Sequence, residues 1–263
     1  RLQDITESGP MNYYRDPASL IEKISSWIKE MIGLSGRSGG IVGLSGGVDS
    51  AVVAALLKKV CGDRMLAVMM PCHSMDEDHR DAMKVVEAFD LPWAKVDLDG
   101  AYDALLDSLP GDVSYGNGIH LSNVKPRLRM TTLYCLGQKM GLLVCGTGNK
   151  AELTMGYFTK HGDSGVDILP LGDLLKGEVN LIARELGVPS GIIKKPPSAG
   201  LWVGQTDEDE MGVTYSEIDR YIATGKGSPR SIGIIERALV RSEHKRITPP
   251  ICLIGEENRK KQG

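Results

Sequence analysis

The chain has 263 residues, a formal net charge of −3, and 41% hydrophobic and 25% charged residues, the balance of an ordinary globular protein. That composition excludes a disordered chain, and the slight acidity argues against a general nucleic-acid binder, which builds affinity from many Lys and Arg contacts to phosphate. No apolar run approaches the about 20 residues that a membrane-spanning helix needs.

Asp16-Pro17 reads as an N-cap and a first-turn proline, and Leu20, Ile21, Ile24, Trp27, Ile28 and Met31 recur at helical spacing until Gly33. Ile41, Val42 and Leu44 form a first strand, followed by a glycine loop and a small-residue helix from Ala51 to Val60. Met65 to Met70, bounded by Gly62 and Pro71, suits a buried parallel strand. A helix over Asp76 to Phe89, a strand over Trp93 to Leu98 and a helix over Tyr102 to Leu109 follow, then a turn-rich loop from Pro110 to Gly118. Helical spacing returns from Leu121 to Met140, and Leu142 to Cys145 makes a fourth short strand, broken by Gly146-Thr147-Gly148-Asn149 before another helix. Thr159 to Asp167 is a polar loop expected to be mobile before a ligand binds, and Lys194 to Thr214 is irregular, with an acidic run at 207–210 that reads as solvated surface. Two helices, Tyr215 to Thr224 and Ser228 to Ser242, close the order.

Strands alternating with helices predict an α/β fold, a doubly wound parallel sheet flanked by helices, with ligands at the carboxyl ends of the strands. We expect one domain over 1–263, with a core over about 16–193 and a helical part over about 194–263. The five cysteines have no C-x-x-C spacing and fit neither a disulfide framework nor a zinc site. They point to free thiols in a reducing cytosol. The chain begins at Arg1 with no signal-like stretch, which reads as a cytoplasmic protein whose initiator or leader is missing here.

Ser45-Gly46-Gly47-Val48-Asp49-Ser50 is the most specific segment. A strand turning through two glycines into a helix offers backbone N–H groups and the positive helix end to a phosphate. The P-loop lysine of G-x-x-x-x-G-K-[ST], which reaches the β- and γ-phosphates, is absent. Asp49 is either a helix-start carboxylate favoured by the dipole or, beside a bound triphosphate, a magnesium ligand. Glu152, in Gly146-Thr147-Gly148-Asn149-Lys150-Ala151-Glu152, starts from the same sheet edge and is either a solvent-facing glutamate or a second magnesium ligand. Lys125, Arg127 and Arg129 form either a solvated helix face or a grip on an anionic second substrate. Lys160 and Lys176 flank Asp167; each is a surface lysine, or one that stabilises charge as pyrophosphate departs. His244-Lys245-Arg246 matches a helix C-terminus, whereas His73 and His79 have no evident role.

The glycine loop resembles that of ATP pyrophosphatases, which cleave ATP between the α- and β-phosphates. Together with N-x-K-x-R-x-R-M, G-T-x-N-K-x-E, F-T-K-x-G-D-x-x-x-D-x-x-P, a P-S-A-x-L segment and E-H-K-R, from Tyr13 to Arg246, it resembles the NAD synthetase family, with its adenine nucleotide alpha hydrolase-like, Rossmann-like fold. The resemblance implies a ligase that amidates deamido-NAD (nicotinic acid adenine dinucleotide) with ammonia through an acyl-adenylate, giving NAD, AMP and pyrophosphate. It implies an ATP site at Gly43, Leu44, Ser45, Gly46, Gly47, Val48, Asp49 and Ser50 with Thr147, Lys176 and Ser198, and magnesium on Asp49 and Glu152. Deamido-NAD then falls to Arg127, Lys160, Asp167, His244 and Lys245, with Lys176 and Asp167 as catalytic residues, Asp167 receiving a proton or orienting ammonium. It also implies a homodimer with the dinucleotide at its interface.

Three positions depart from the family. Ser198 replaces threonine and keeps the hydroxyl, Gly200 stands where an acidic residue is often found, and Pro126 replaces alanine, which sets the helix start at or near Pro126. Nothing before Tyr13 supplies the amidase of the glutamine-dependent branch, so free ammonia is the expected nitrogen source unless the chain is an excised synthetase domain. Another pyrophosphate-loop adenylating enzyme and a non-catalytic nucleotide-binding module are the alternatives; the second would not need Asp49, Glu152 and Lys176 together.

Overall fold

Asp16 caps α1 (Pro17–Leu34), its Oδ2 accepting the Ser19 N–H at 2.8 Å, and the helix buries Leu20, Ile21, Ile24 and Ile28. The computed structural model describes residues 13–111, 118–198 and 206–252. Gly200, the end of the P-S-A-x-L segment and most of the Pro110 to Gly118 loop lie outside them.

Along the chain follow β1 (Gly39–Gly43), α2 (Val48–Cys61), β2 (Met65–Met69), α3 (Asp76–Phe89), β3 (Trp93–Lys95) and α4 (Asp99–Asp107). Then come α5 (Ile119–Ser122), α6 (Val124–Met140), β4 (Leu142–Val144), α7 (Lys150–Met155), α8 (Lys176–Leu186) and α9 (Ser190–Lys194). The last are α10 (Asp207–Met211), α11 (Tyr215–Thr224), α12 (Pro229–Arg241) and a 3₁₀ turn at Glu243–Lys245. Among the described residues no helix is long and apolar enough to cross a membrane.

The four strands are parallel in the order β3-β2-β1-β4. Every residue of β2 is buried, as its unbroken apolar run requires of a strand covered on both faces. One face packs α1, α2, α3 and α8 through Ile28, Val52, Leu56, Val85 and Ile182; the other packs α4 and α6 through Ile41, Val68, Leu133 and Val144. Burying each such side chain stabilises the fold by about 1.5–3 kcal/mol. Gly137 lets α6 lie close to the sheet, because a Cβ there would stand 3.1 Å from the Leu142 carbonyl oxygen. A third cluster joins Ala151 and Met155 of α7 to Met211, Tyr215, Ile218 and Ile235.

The doubly wound parallel sheet is as the alternation predicts, with two local differences before β4. β3 ends at Lys95, because the Asp97 side chain accepts the Asp99 N–H at 3.0 Å and turns the chain into α4 three residues earlier than expected. The helical stretch before Met140 divides at Asn123 into α5 and α6. Pro126 occupies the third position of α6, where its missing N–H falls among those without intrahelical partners.

The connections run β1 to β2 to β3 on one side, then return to β4 on the other side of β1. The carboxyl ends of β1 and β4 therefore diverge into a crevice at the point where the strand order reverses.

Candidate active site

The glycine loop leaves β1 at this crevice. Gly46 has a φ of +84°, and a Cβ there would lie 2.6 Å from the Asp78 carbonyl oxygen, so only glycine lets the loop press onto α3. The Ser50 hydroxyl donates to the Gly47 carbonyl at 3.0 Å and accepts the Ser45 N–H at 3.2 Å; the Ser45 hydroxyl accepts the Gly47 N–H at 3.2 Å. Leu44 and Val48 are buried in the core, so they and Gly43 offer a ligand only backbone.

Asp49, in the first turn of α2, meets two other elements. Its Oδ2 pairs with the Lys176 ammonium at the start of α8, and its Oδ1 accepts from Asn149 Nδ2 at 3.0 Å. Asn149 is also the N-cap of α7: its Oδ1 accepts the Glu152 N–H at 3.0 Å, and Glu152 Oε2 accepts the Asn149 N–H at 3.0 Å. One buried amide thus sets both carboxylates named from the sequence. Lys176 is 4% exposed, its ammonium 5.0 Å from the Tyr215 ring centre, and its backbone is held by Asp219, which accepts the Lys176 and Gly177 N–H groups at 3.0 and 2.8 Å.

Only the second half of the acidic run at 207–210 is a solvated face: Asp209 and Glu210 are exposed, whereas Asp207 is buried and Glu208 half-buried. Asp207 is 5% exposed, accepts the Tyr215 hydroxyl at 2.9 Å, and leaves Oδ1 buried with no partner; Glu208 accepts the Tyr215 N–H at 2.8 Å, and Glu210 binds the Tyr157 hydroxyl. Burial and the neighbouring Asp49 charge push the Glu152 carboxyl up to about 8. Burial also raises the Asp207 carboxyl, against the Tyr215 hydrogen bond; it opposes charge on Lys176, but Asp49 and Glu152 outweigh it and keep the ammonium protonated.

Three carboxylates, Asp49, Glu152 and Asp207, therefore face one ammonium in a desolvated site, and one carboxylate oxygen is orphaned. An all-oxygen donor set whose carboxyls are held back from ionising by burial and by one another suits a hard divalent cation, which would favour their charged forms. Among the described residues no three such side chains converge on one ion position, so phosphate oxygens would have to complete the shell, as is usual for magnesium on nucleotides.

A second group lies where α6, the polar loop and the C-terminal turn meet. Arg127 Nη2 donates to the Lys160 carbonyl at 3.2 Å, and the Lys160 ammonium donates to the His244 carbonyl at 2.7 Å. Lys245 donates to the Gly156 and Phe158 carbonyls at 2.8 Å each, its ammonium 5.3 Å from the Phe158 ring. The polar loop is tied down: Asp163 accepts the Thr159 N–H at 2.8 Å, and the Thr159 hydroxyl donates to Asn123 Oδ1 at 2.7 Å.

The hydrogen bonds of Asp167 go to neither of the lysines that flank it in sequence. Its oxygens accept the Val144 N–H at 2.9 Å and the Tyr134 hydroxyl at 3.0 Å at the end of β4, while Lys176 is spent on Asp49. Thr147 is half-buried in the loop between β4 and α7. Ser198 is exposed; Lys195, three residues before it, pairs with Asp78 and Asp81 of α3 at 2.9 and 2.8 Å, and Pro197 accepts the Asp207 N–H at 3.1 Å. These two tethers hold the Ser198 segment between the glycine loop's support and α10.

The NAD synthase family model matches residues 20–251. An NH3-dependent NAD(+) synthetase of Carboxydothermus hydrogenoformans is 48% identical over 234 residues, covering 89% of this chain and 96% of that protein. Among solved structures, an NMN synthetase from Francisella tularensis superposes with a TM-score of 0.85 at 38% identity, over 92% of this chain and 99% of that one. An NH3-dependent NAD synthetase from Campylobacter jejuni, solved with nitrate, gives 0.75 at 28% identity, over 91% and 100%. With the strand order, the glycine loop and a near full-length match in agreement, the chain belongs to the NAD synthase family.

Proposed function

We infer that the protein is an ammonia-dependent NAD synthetase, a ligase that forms the C–N bond of the nicotinamide group at the expense of ATP. A carboxylate is a poor electrophile. Attack of the nicotinate oxygen on the α-phosphorus releases pyrophosphate and makes AMP the leaving group; ammonia then attacks the acyl carbon, AMP departs and a proton is lost.

The observation that carries this reading is the Asp49–Lys176 pair beside a glycine loop that has no P-loop lysine. The loop N–H groups cradle the β- and γ-phosphates that leave together, and Lys176, fixed by Asp49, Tyr215 and Asp219, lies where charge builds on departing pyrophosphate. Asp49 and Glu152 would hold magnesium, which when bound would neutralise the phosphates and favour the ionised form of Glu152. Thr147 and Ser198 complete the ATP side. Arg127, Lys160, His244 and Lys245 hold the dinucleotide, supported by the hydrogen-bonded chain that joins them. Asp167, at the carboxyl end of β4, orients the incoming ammonium.

The working unit in this reading is one domain paired as a homodimer across the dinucleotide, with exposed Ile119 and Met140 at the ends of the α5–α6 stretch supporting such a face; sedimentation velocity tests it. The five free cysteines, three of them buried, support the reducing environment of the cytoplasm.

The test is to supply ATP, magnesium, ammonium and deamido-NAD and to measure NAD, AMP and pyrophosphate; ADP in place of AMP would sink the adenylation step. Arg127→Ala should raise the KM for deamido-NAD about tenfold or more and leave that for ATP unchanged. The likeness to an NMN synthetase favours a second reading, in which the acceptor is the corresponding mononucleotide. The ratio of kcat/KM for the two acceptors decides between them.

A further inference from the structure

Arg129 is a charge without a counter-charge. On α6 its Nε donates to the Met70 carbonyl at 3.0 Å and its Nη2 to the Ser74 hydroxyl at 3.3 Å, both neutral, and among the described residues it forms no ion pair with a carboxylate. The carboxylates nearest in field are engaged elsewhere: Asp78 pairs with Lys195 at 2.9 Å, and Asp163 accepts the Thr159 N–H at 2.8 Å. Lys125, one turn earlier on the same face of α6, is buried where Arg129 is half-buried, its ammonium 5.8 Å from the Tyr102 ring centre. Two like charges at this spacing repel, and burial holds the Arg129 guanidinium below its ordinary range. A strap between α6 and β2 would need no charge at all.

The register of the sheet says which anion is within reach. Gly43, the last residue of β1 before the glycine loop, pairs with Val68, and a Cβ there would stand 3.1 Å from the Met70 terminal methyl, so Met70 leaves β2 beside the strand end that feeds the loop. Arg129 is anchored to that Met70 carbonyl. The carboxylates Asp49, Glu152 and Asp207 crowd the β4 side of the loop; Arg129 and Lys125 lie on the β2 side.

We propose that Arg129 is an ATP-binding residue, contacting the polyphosphate from the β2 side with the guanidinium donors that Met70 and Ser74 leave free. The assignment rests on the ATP-dependent reading above. It divides α6 between the two substrates, with Arg127 turned out to the dinucleotide and Arg129 turned in to ATP.

The test is calorimetry of ATP with magnesium and no acceptor, on the full chain and on Arg129→Gln and Arg129→Lys, with steady-state KM for both substrates. A charge-assisted contact predicts that Gln weakens ATP binding about 10- to 100-fold and that Lys recovers part of the loss, with the KM for deamido-NAD changed less than about twofold. A folded Gln variant with unchanged ATP affinity would overturn the proposal, as would a change carried by the dinucleotide KM. If Gln fails to fold, Arg129→Lys decides: full wild-type ATP affinity overturns it. A wild-type protein that binds ATP yet releases no AMP would instead overturn the ligase reading.

Discussion

Asp49 stands out in the sequence as a candidate because of its neighbours within three residues, whereas the side chains that fix it do not. Asn149 is 100 positions away and Lys176 is 127; the adjacency of β1 and β4 brings in the first, and the packing of α8 on α2 the second. Asp207 is harder still: within a run of four acids it has the pattern of a solvated face, and its burial depends on the Tyr215 hydroxyl eight residues later and on Lys176 from another element. Asp49→Asn removes the charge that holds Lys176 and leaves a side chain of the same size. We expect pyrophosphate release to fall about 100- to 1,000-fold with the far-UV spectrum unchanged, measured by coupled pyrophosphate detection. Release at the wild-type rate would remove Asp49 from the reacting centre.

The elements that carry the site are positioned by contacts at their ends. Gly46→Ala puts a methyl 2.6 Å from backbone oxygen at a φ of +84°, and neither α3 nor the loop has a flexible side chain to yield. The expected outcome is a loss of about 1–3 kcal/mol in urea denaturation together with weakened ATP binding. The start of α8 is set by Glu178, fully buried, whose oxygens accept from Arg15 at 2.7 to 3.0 Å and from the Leu175 N–H at 3.0 Å. Burial alone would raise this carboxyl, but the Arg15 hydrogen bonds outweigh it and hold it below its ordinary 4.5. A carboxyl lowered on folding contributes stability above the unfolded-state value and loses it as the pH falls through the folded one. Thermal unfolding of Glu178→Gln should therefore show a shallower loss of Tm below about pH 4.5 than wild type. Equal acid limbs would remove Glu178 from the acid response. Helix ends were largely readable, since α3 and α11 run as their periodicity predicts; β3 was not, because a short edge strand leaves too little pattern to mark its end.

Across the whole molecule, the C-terminal helices act on the site through packing. Ile235 of α12 is fully buried in the cluster that holds Ala151 and Met155 of α7 and Tyr215 of α11, the elements carrying Glu152 and the ring under Lys176. Ile235→Ala should cost about 2–5 kcal/mol and raise the magnesium concentration needed for half-maximal rate, though it touches no reacting group. An unchanged magnesium requirement in the folded variant would separate that cluster from the site. The sequence by itself determined the alternation of strands and helices, the glycine loop and the carboxylates next to it, because periodicity and turn chemistry act within a few residues. Only the tertiary structure decided that Lys176 belongs to Asp49 and not to Asp167, that Asp207 faces inward, and that Arg129 lies beside the loop without a counter-charge. Those outcomes depend on which strands are neighbours and on how much water the packing removes, and neither is written in any short stretch of chain.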